Sequence, residues 1–401
     1  MVDVRNEKKL NLALIGVGAR GKENLGNALR ENVVAICDTD ESMLFRANQR
    51  CRPGTRFYSD YRLLLEEMSG VLDAVVISTP DHSHFPIAMD AMDRGLHCYC
   101  EKPLAHSVRE CRLMAQKAKE KRLITQMGNQ MHTTENYRRV VELLRAGTLG
   151  RIHHAHVWCK KGWGGVDTPL PSPEEPTLGF HWDSWLCNAK KRPFVEKIYH
   201  PSNWRRWWDF GSGTLGDMGC HYMDIVFWAL GLTHPYKIAA SGPDLAHQKN
   251  LAPLSLKVEY LFPSPDAGEE IRVTWYDGDY RPEVLDRYGF SYWLGGVVFE
   301  GTEGALAADY TQRIFAPEEK FKGTLPEVET IPPSPGHFVD FCNAIRSGTP
   351  TDCDFSYTSR LTETILLGVA AYRSGGEILW DAERLCAGSN SKAQFYIEGL
   401  S

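Results

Sequence analysis

An α/β protein in two unequal parts is what this sequence predicts. A doubly wound parallel sheet occupies residues 1–130, and a larger α+β domain with mainly antiparallel strands occupies 131–401. Two observations predict the first part. Short, continuous apolar runs alternate with helical stretches, the pattern of a parallel sheet covered on both faces, and the first run ends in a cluster of glycines. A change of texture predicts the second part: after about residue 130 the chain turns to Trp-, Pro- and Gly-rich loops and well-separated short strands.

The elements follow in order. Residues 12–15, 33–37, 74–78, 97–100 and 123–127 read as five buried strands. Residues 22–31, 41–49, 85–94 and 108–121 read as the helices between them. Beyond the boundary, 135–146 reads as a helix stopped by Gly147, and 152–159 as a strand. Residues 162–216 read as long loops around a site, and 215–230 as one helix. Residues 256–262, 270–276 and 296–300 read as antiparallel strands, and 337–346 and 359–373 as helices. There is no internal repeat and no low-complexity tract.

Composition narrows the function. The 401 residues are 43% hydrophobic and 24% charged, with a formal net charge of -6, values of an ordinary globular chain without a basic region. Nucleic acid is therefore not an expected partner. No apolar run approaches the ~20 residues needed to span a bilayer, so no membrane is expected either. Residues 1–9 are short and charged, without the apolar stretch of a signal peptide. A cytoplasmic home is expected, and a periplasmic one only if a leader has been removed. The 11 cysteines have no framework spacing. Cys98 and Cys100 share a strand face, and the plain reading is free thiols in a reducing compartment. Neither CxxC nor HExxH occurs, and no metal is expected. His153, His154 and His156 lie at a strand start, where they read as ordinary sheet positions.

Gly16-Val17-Gly18-Ala19-Arg20-Gly21 matches GxGxxG. The pattern is weak alone and strong here, because it follows a strand and opens a helix. Gly16 permits the tight turn, Gly18 lets the backbone approach a pyrophosphate, and Gly21 lets helix and strand pack closely. The helix N-terminus offers free N–H groups to phosphates. Asp38 ends the next strand, where it can accept hydrogen bonds from ribose hydroxyls and repel a 2′-phosphate. NAD is thus favoured over NADP, although Arg20 could serve a phosphate. Two more polar clusters follow strand ends: Ser78-Thr79-Pro80-Asp81-His82 and Glu101-Lys102-Pro103.

These motifs, with His84 and with Asp217-Met218-Gly219-Cys220-His221 further on, resemble the glucose–fructose oxidoreductase, inositol dehydrogenase and MocA family, Gfo/Idh/MocA. The resemblance covers nearly the whole chain. The stretches 126–130, 201–224 and 275–278 look like a large, poorly characterised bacterial branch. The resemblance implies a Rossmann domain followed by an open, mainly antiparallel sheet. The flat face of that sheet often serves oligomerisation in the family, and a homo-oligomer, dimer or tetramer, is expected. It also implies that the histidine matching His221 is the acid/base and that the lysine matching Lys102 binds and polarises the reacting oxygen. In the family the bond before Pro103 is often cis.

Asp217 and His221 are four apart on an expected helix and share one face. An aspartate beside a histidine can fix its tautomer and raise its basicity. Together with the roles that the resemblance implies, this assigns His221 as base, Lys102 as electrostatic helper, and Asp217 as orienter and possible substrate ligand. Thr79 and Pro80 are expected to bind the cofactor, His82 and His84 either line its nicotinamide side or only cap and pack, and Glu101 is expected near the cofactor ribose. Sugars offer apolar faces to indole rings and hydroxyls to Arg, His and Asp. The segment carrying Trp163, His181, Trp182, Trp185, Trp204, Arg205, Arg206, Trp207 and Trp208 is accordingly the expected substrate wall, and Tyr276 and Asp277 could complete it.

The leading expectation is an NAD-dependent dehydrogenase acting on a secondary hydroxyl of a sugar or cyclitol. A second is an NAD-dependent glycosidase working by transient C3 oxidation and elimination. A third is a non-catalytic sugar or NAD sensor, against which the joint presence of Lys102, Asp217 and His221 argues.

Overall fold

A computed structural model of the chain describes residues 8–165, 170–245, 250–264 and 269–399. Positions 166–169 of the expected site loops, and residues 1–7 of the N-terminal segment, lie outside the described residues.

The first sheet is six-stranded and wholly parallel. Its strands are β1 (Asn11–Ile15), β2 (Asn32–Cys37), β3 (Arg56–Tyr58), β4 (Ala74–Ile77), β5 (His97–Cys100) and β6 (Thr125–Met127). The spatial order β3-β2-β1-β4-β5-β6 reverses direction between β1 and β4. Open sheets of this kind bind ligands at that switch point, beyond the carboxyl ends of the strands. The continuous apolar strands are explained by burial on both faces. Leu12 and Leu14 enter one core while Ala13 and Ile15 enter the other. Local signals set the helices. Val108–Lys121 opens on a capping box formed by Ser107 and Glu110, and Asp40 and Asp60 each cap a helix by accepting a backbone N–H.

The sequence reading misses β3 and the helix Tyr61–Met68. With three residues, two of them exposed, β3 is too short to carry a periodic signal. The helix Asp81–Asp93 starts four residues earlier than expected.

The second sheet has eight strands in the order β13-β12-β11-β7-β10-β9-β8-β14. They are β7 (Ile152–Cys159), β8 (Lys237–Ser241), β9 (Lys257–Pro263), β10 (Glu270–Asp277), β11 (Gly295–Gly301), β12 (Gly304–Ala308), β13 (Arg313–Ala316) and β14 (Ile378–Leu379). Only β7 and β10 pair in parallel. Every other pair is antiparallel. One face, with Ala155, Val157, Val273 and Trp275, packs on helices that include Phe355–Ser374. The other face carries Trp158 and Val298, covered by Val284, Leu285, Phe290 and Trp293. The single helix expected at 215–230 is two, Gly213–Tyr222 and Asp224–Leu230, meeting at Met223.

The chain also crosses back. Phe338 and Phe341 of the helix His337–Ser347 pack with Leu12 and Leu14 of the first sheet, although 131–401 is read from sequence as a separate domain. No helix among the described residues is long and apolar enough to cross a membrane.

Candidate active site

A cleft opens at the switch point of the first sheet. Gly16, Gly18 and Arg20 line its floor, Asp38 lies along one side, and Ser78, Thr79, Pro80, Glu101 and Lys102 line the other. The three glycines are required for different reasons. Gly16 has φ +85°, and a Cβ there would lie 2.6 Å from the Ser78 carbonyl oxygen. At Gly21 a Cβ would lie 2.0 Å from the Gly16 carbonyl oxygen, so helix and turn touch through bare backbone. A Cβ at Gly18 would meet only Met43, at 3.5 Å. Packing does not demand glycine at that position; the bare backbone there faces the cleft, as a bound pyrophosphate requires. Gly18 also caps the helix Ala19–Ala28, whose first N–H groups are free for phosphate oxygens. The donor set and the cleft thus fit a dinucleotide.

Asp38 accepts hydrogen bonds from the backbone N–H groups of Val17 (2.8 Å) and Asp40 (3.0 Å). These fix its carboxylate at the cleft wall and leave lone pairs for ribose hydroxyls. The guanidinium of Arg20 pairs with Glu23 and with Glu101, the latter at 3.3 Å. Two carboxylates therefore already neutralise it, which disfavours a further role as a 2′-phosphate ligand. Glu101 also accepts from Asn24 at 2.9 Å, in space that a side chain at Gly128 would fill.

At the Lys102 end of the cleft the two domains meet. The Lys102 ammonium donates to the Asp217 carbonyl (2.6 Å) and to Asp217 Oδ1 (2.8 Å), and the Lys102–Pro103 bond is cis. Arg205 donates to the same Oδ1 at 3.0 Å, while Oδ2 takes the Trp163 indole N–H at 2.7 Å and Lys161 at 3.4 Å. Burial alone would raise the Asp217 pKa. Lys102, Arg205 and Lys161 overcome it and hold the carboxyl well below the usual range.

That crowding corrects one expectation. Asp217 does not orient His221, because both carboxylate oxygens are taken by cations and an indole. His221 lies one turn further along the helix, with Nδ1 buried and unpartnered among the described residues. Burial first, and then the Lys102 charge, push its pKa down, with Asp217 pulling the other way. The imidazole is held neutral, and the ammonium is close enough to bias it.

His82 and His84 require a second correction. Neither lines the cleft. His84 is wedged between the carbonyls of Pro103 and Thr79, 2.8 Å from each. His82 points the other way, donating to the Trp185 carbonyl at 3.0 Å beneath Trp185 and Phe210. Burial lowers them to about 4 and about 3. His84 buttresses the turn that carries Thr79 and the strand end that carries Lys102, and His82 ties its helix to the Trp185 segment.

The aromatic segment divides. Trp204 and Arg205 line the cleft, joined by Trp185. Trp182 does not. It stacks on Trp185 at 4.8 Å, gives its N–H to the Arg192 carbonyl, and belongs to an aromatic core with Phe194, Tyr199 and Phe210. Arg206 lies 6.0 Å from the Trp163 ring, beside the cleft. Tyr276 is on the far face of the second sheet, its hydroxyl 3.3 Å from His156. Strand alternation puts it there, since its neighbour Trp275 faces the helices. Asp277 is spent on structure, accepting from Leu256 N–H and the Trp275 indole.

Asp81 belongs to the Ser78–His82 cluster, and the sequence reading gives it no role of its own. It is fully buried at the start of its helix, and burial lifts its pKa to about 7 against Lys102 and Arg205, with Asp217 adding to the rise. Its position directly after the Thr79-Pro80 turn is the available signal.

A strap from the second domain closes the Asp38 side of the cleft. Glu41 N–H donates to the Gly179 carbonyl and His181 N–H to the Thr39 carbonyl. Cys187, His200 and Pro201 complete that wall.

Comparison with known proteins agrees with this geometry. Residues 10–129 match the family described as "Oxidoreductase family, NAD-binding Rossmann fold", and residues 150–263 its C-terminal alpha/beta domain. A 2,7-anhydro-N-acetylneuraminate hydratase from Mediterraneibacter gnavus is 23% identical over 75% of this chain and 68% of its own length. A glycosyl hydrolase family 109 protein from Shewanella sp. (strain ANA-3) is 33% identical, over 36% of this chain and only 34% of its own. Among solved structures, the WlbA dehydrogenase from Bordetella pertussis, in complex with NADH and UDP-GlcNAcA, superposes with a TM-score of 0.65 at 18% identity, covering 93% of this chain and 99% of that one. With the glycine turn, the switch-point cleft and both halves matched, the chain belongs to the Gfo/Idh/MocA family of NAD-binding oxidoreductases.

Proposed function

We propose that this enzyme oxidises or reduces a secondary hydroxyl of a sugar or cyclitol, with Lys102, Asp217 and His221 at the reacting carbon. One observation carries the reading: an ammonium from the first domain is fixed at the mouth of the dinucleotide cleft by a carboxylate from the second, with a neutral imidazole one helical turn away. A bound nicotinamide supplies the hydride acceptor or donor. The protein's own groups do the rest. Asp217 uses two of the three Lys102 N–H donors. The third is free to hold the substrate oxygen and stabilise negative charge as it develops. His221, neutral with a free ring nitrogen, takes the hydroxyl proton on oxidation and returns it on reduction. Trp204 and Trp185 offer apolar faces to the sugar ring, and Arg205 offers donors to its hydroxyls. We place subunit contacts, as a homo-oligomer, on the part of the second sheet's far face that Val284, Leu285, Phe290 and Trp293 do not cover.

The test is NADH formation from NAD with a panel of free sugars and cyclitols. Lys102→Ala and His221→Ala must each abolish most of it, and unchanged turnover in both overturns the assignment.

A glycosidase cycle is a second reading. In it the cofactor stays bound, a C3 hydroxyl is oxidised, the acidified C2 proton is lost as the aglycone leaves, water adds across the resulting C1=C2 bond, and reduction of the C3 ketone restores the sugar. The strap over the Asp38 side of the cleft supports it, since a covered cofactor is a retained one, and so does the Shewanella relative. Aglycone release from nitrophenyl glycosides without net NADH favours this reading; NADH accumulation favours the first.

A further inference from the structure

The second sheet carries a cluster that the active site does not use. Of the three histidines at the start of β7, His153 points to one face and His154 and His156 to the other, away from the helix that bears Asp217. Their rings lie 3.6 Å apart. Glu300 comes from the neighbouring strand β11, in register with His154, and its Oε2 sits 2.8 Å from His156 Nε2. One ligand atom from each of the three side chains falls within 4.8 Å of the other two.

We propose that His154, His156 and Glu300 bind a borderline divalent transition ion of the zinc type. Two nitrogens and one carboxylate oxygen are the donor set such ions take, and hard ions such as Mg²⁺ and Ca²⁺ prefer oxygen alone. Tetrahedral bonds of about 2.0–2.1 Å put ligand atoms roughly 3.3 Å apart, so small side-chain rotations bring these donors onto one ion. The ion replaces the proton now shared by His156 and Glu300.

Each donor also has a partner holding its other end, the arrangement that orients metal ligands. His154 Nε2 is 2.9 Å from the Thr274 hydroxyl, leaving Nδ1 for the ion. His156 Nδ1 is 3.3 Å from the Tyr276 hydroxyl, leaving Nε2. Glu300 Oε1 accepts from Arg287 at 2.8 Å, leaving Oε2. Thr274 and Tyr276 are both on β10, so the ion ties β10, β7 and β11 across the middle of the sheet. Three protein donors leave the fourth tetrahedral position to water.

The full chain, stripped with a chelator, is titrated with Zn²⁺ against a chromophoric competitor and with Co²⁺ in the visible region. One equivalent of each is expected to bind. The Co²⁺ spectrum should show tetrahedral d–d bands without the near-ultraviolet charge transfer of thiolate ligands. His156→Ala and Glu300→Gln should weaken Zn²⁺ binding by about 100-fold, and Thr274→Val by about tenfold. Zn²⁺ should raise the Tm of the wild-type protein, and equal Mg²⁺ or Ca²⁺ should not, a readout that needs no variant to fold. Absence of Zn²⁺ and Co²⁺ binding by the wild-type chain overturns the proposal. So does thiolate charge transfer, or undiminished binding in a folded His156→Ala protein.

Discussion

Lys102 and Asp217, 115 positions apart, are joined twice, through the Asp217 carbonyl at 2.6 Å and its carboxylate at 2.8 Å. The pairing locks the lysine's direction rather than merely balancing its charge, because the carbonyl bond depends on the backbone of the helix itself. Arg205 and Lys161 on the same carboxylate make Asp217 the common anchor of three cations.

Removing that anchor's charge should disable the lysine. Asp217→Asn keeps the shape and leaves three cations without their counter-ion. We expect kcat to fall by about 100-fold, the scale of a misplaced catalytic group, with NAD affinity little changed. Steady-state kinetics beside calorimetric NAD binding checks this. Unchanged kcat would mean that the anchor has no positioning role.

Asp81 predicts a pH effect with a definite sign. Its carboxyl is raised to about 7 in the folded protein, against an ordinary value of about 3.9 in the unfolded chain. Between those values the folded state holds a proton that the unfolded state has released, so stability falls as pH rises through that window. Asp217 works in the opposite direction: its depressed pKa stabilises above about 3.9, and that contribution is lost as pH falls. Asp81→Asn should therefore narrow the gap between denaturation midpoints measured at pH 5 and pH 8. An unaltered gap rules out Asp81 as the titrating group.

Two glycines of one motif should fail in different ways. Gly21→Ala forces a Cβ into the Gly16 carbonyl and should cost about 1–3 kcal/mol of stability, along with cofactor binding. Gly18→Ala meets nothing closer than 3.5 Å, so its Tm should stay near that of wild type while NAD affinity drops about tenfold. Differential scanning calorimetry and NAD titration separate the two. Equal Tm losses would contradict the packing argument.

Core and cleft tryptophans should likewise diverge. Trp182→Phe loses an indole bond to Arg192 and part of a stacked pair, and should lower stability by about 1–2 kcal/mol without raising KM for the sugar. Trp204→Phe changes a residue that belongs to the same core but also lines the cleft, and should raise that KM. The same pattern in both variants would dissolve the distinction.

Features written within a few neighbouring residues were legible in the sequence. The glycine turn, the aspartate ending the second strand and the Glu-Lys-Pro signature lie at strand ends that apolar runs mark, and a parallel sheet delivers all such ends to one edge. The strands at 97–100 and 152–159 and the helix at 108–121 follow from periodicity and capping alone. Tyr276 could have been placed by the same logic, since alternation with Trp275 turns it to the opposite face.

What the tertiary structure decided is partnership. Spacing put Asp217 and His221 on one helix face, but it could not reveal that Lys102, Lys161, Trp163 and Arg205 would occupy the carboxylate first. Nor could it show that His82 and His84 turn inward to backbone carbonyls, or that Glu300 would arrive beside His156 from a strand 144 positions away. Periodicity along a chain fixes which way a side chain points. Electrostatic and hydrogen-bond partners come from distant segments, so the chemistry of a buried group is settled only when those segments pack together.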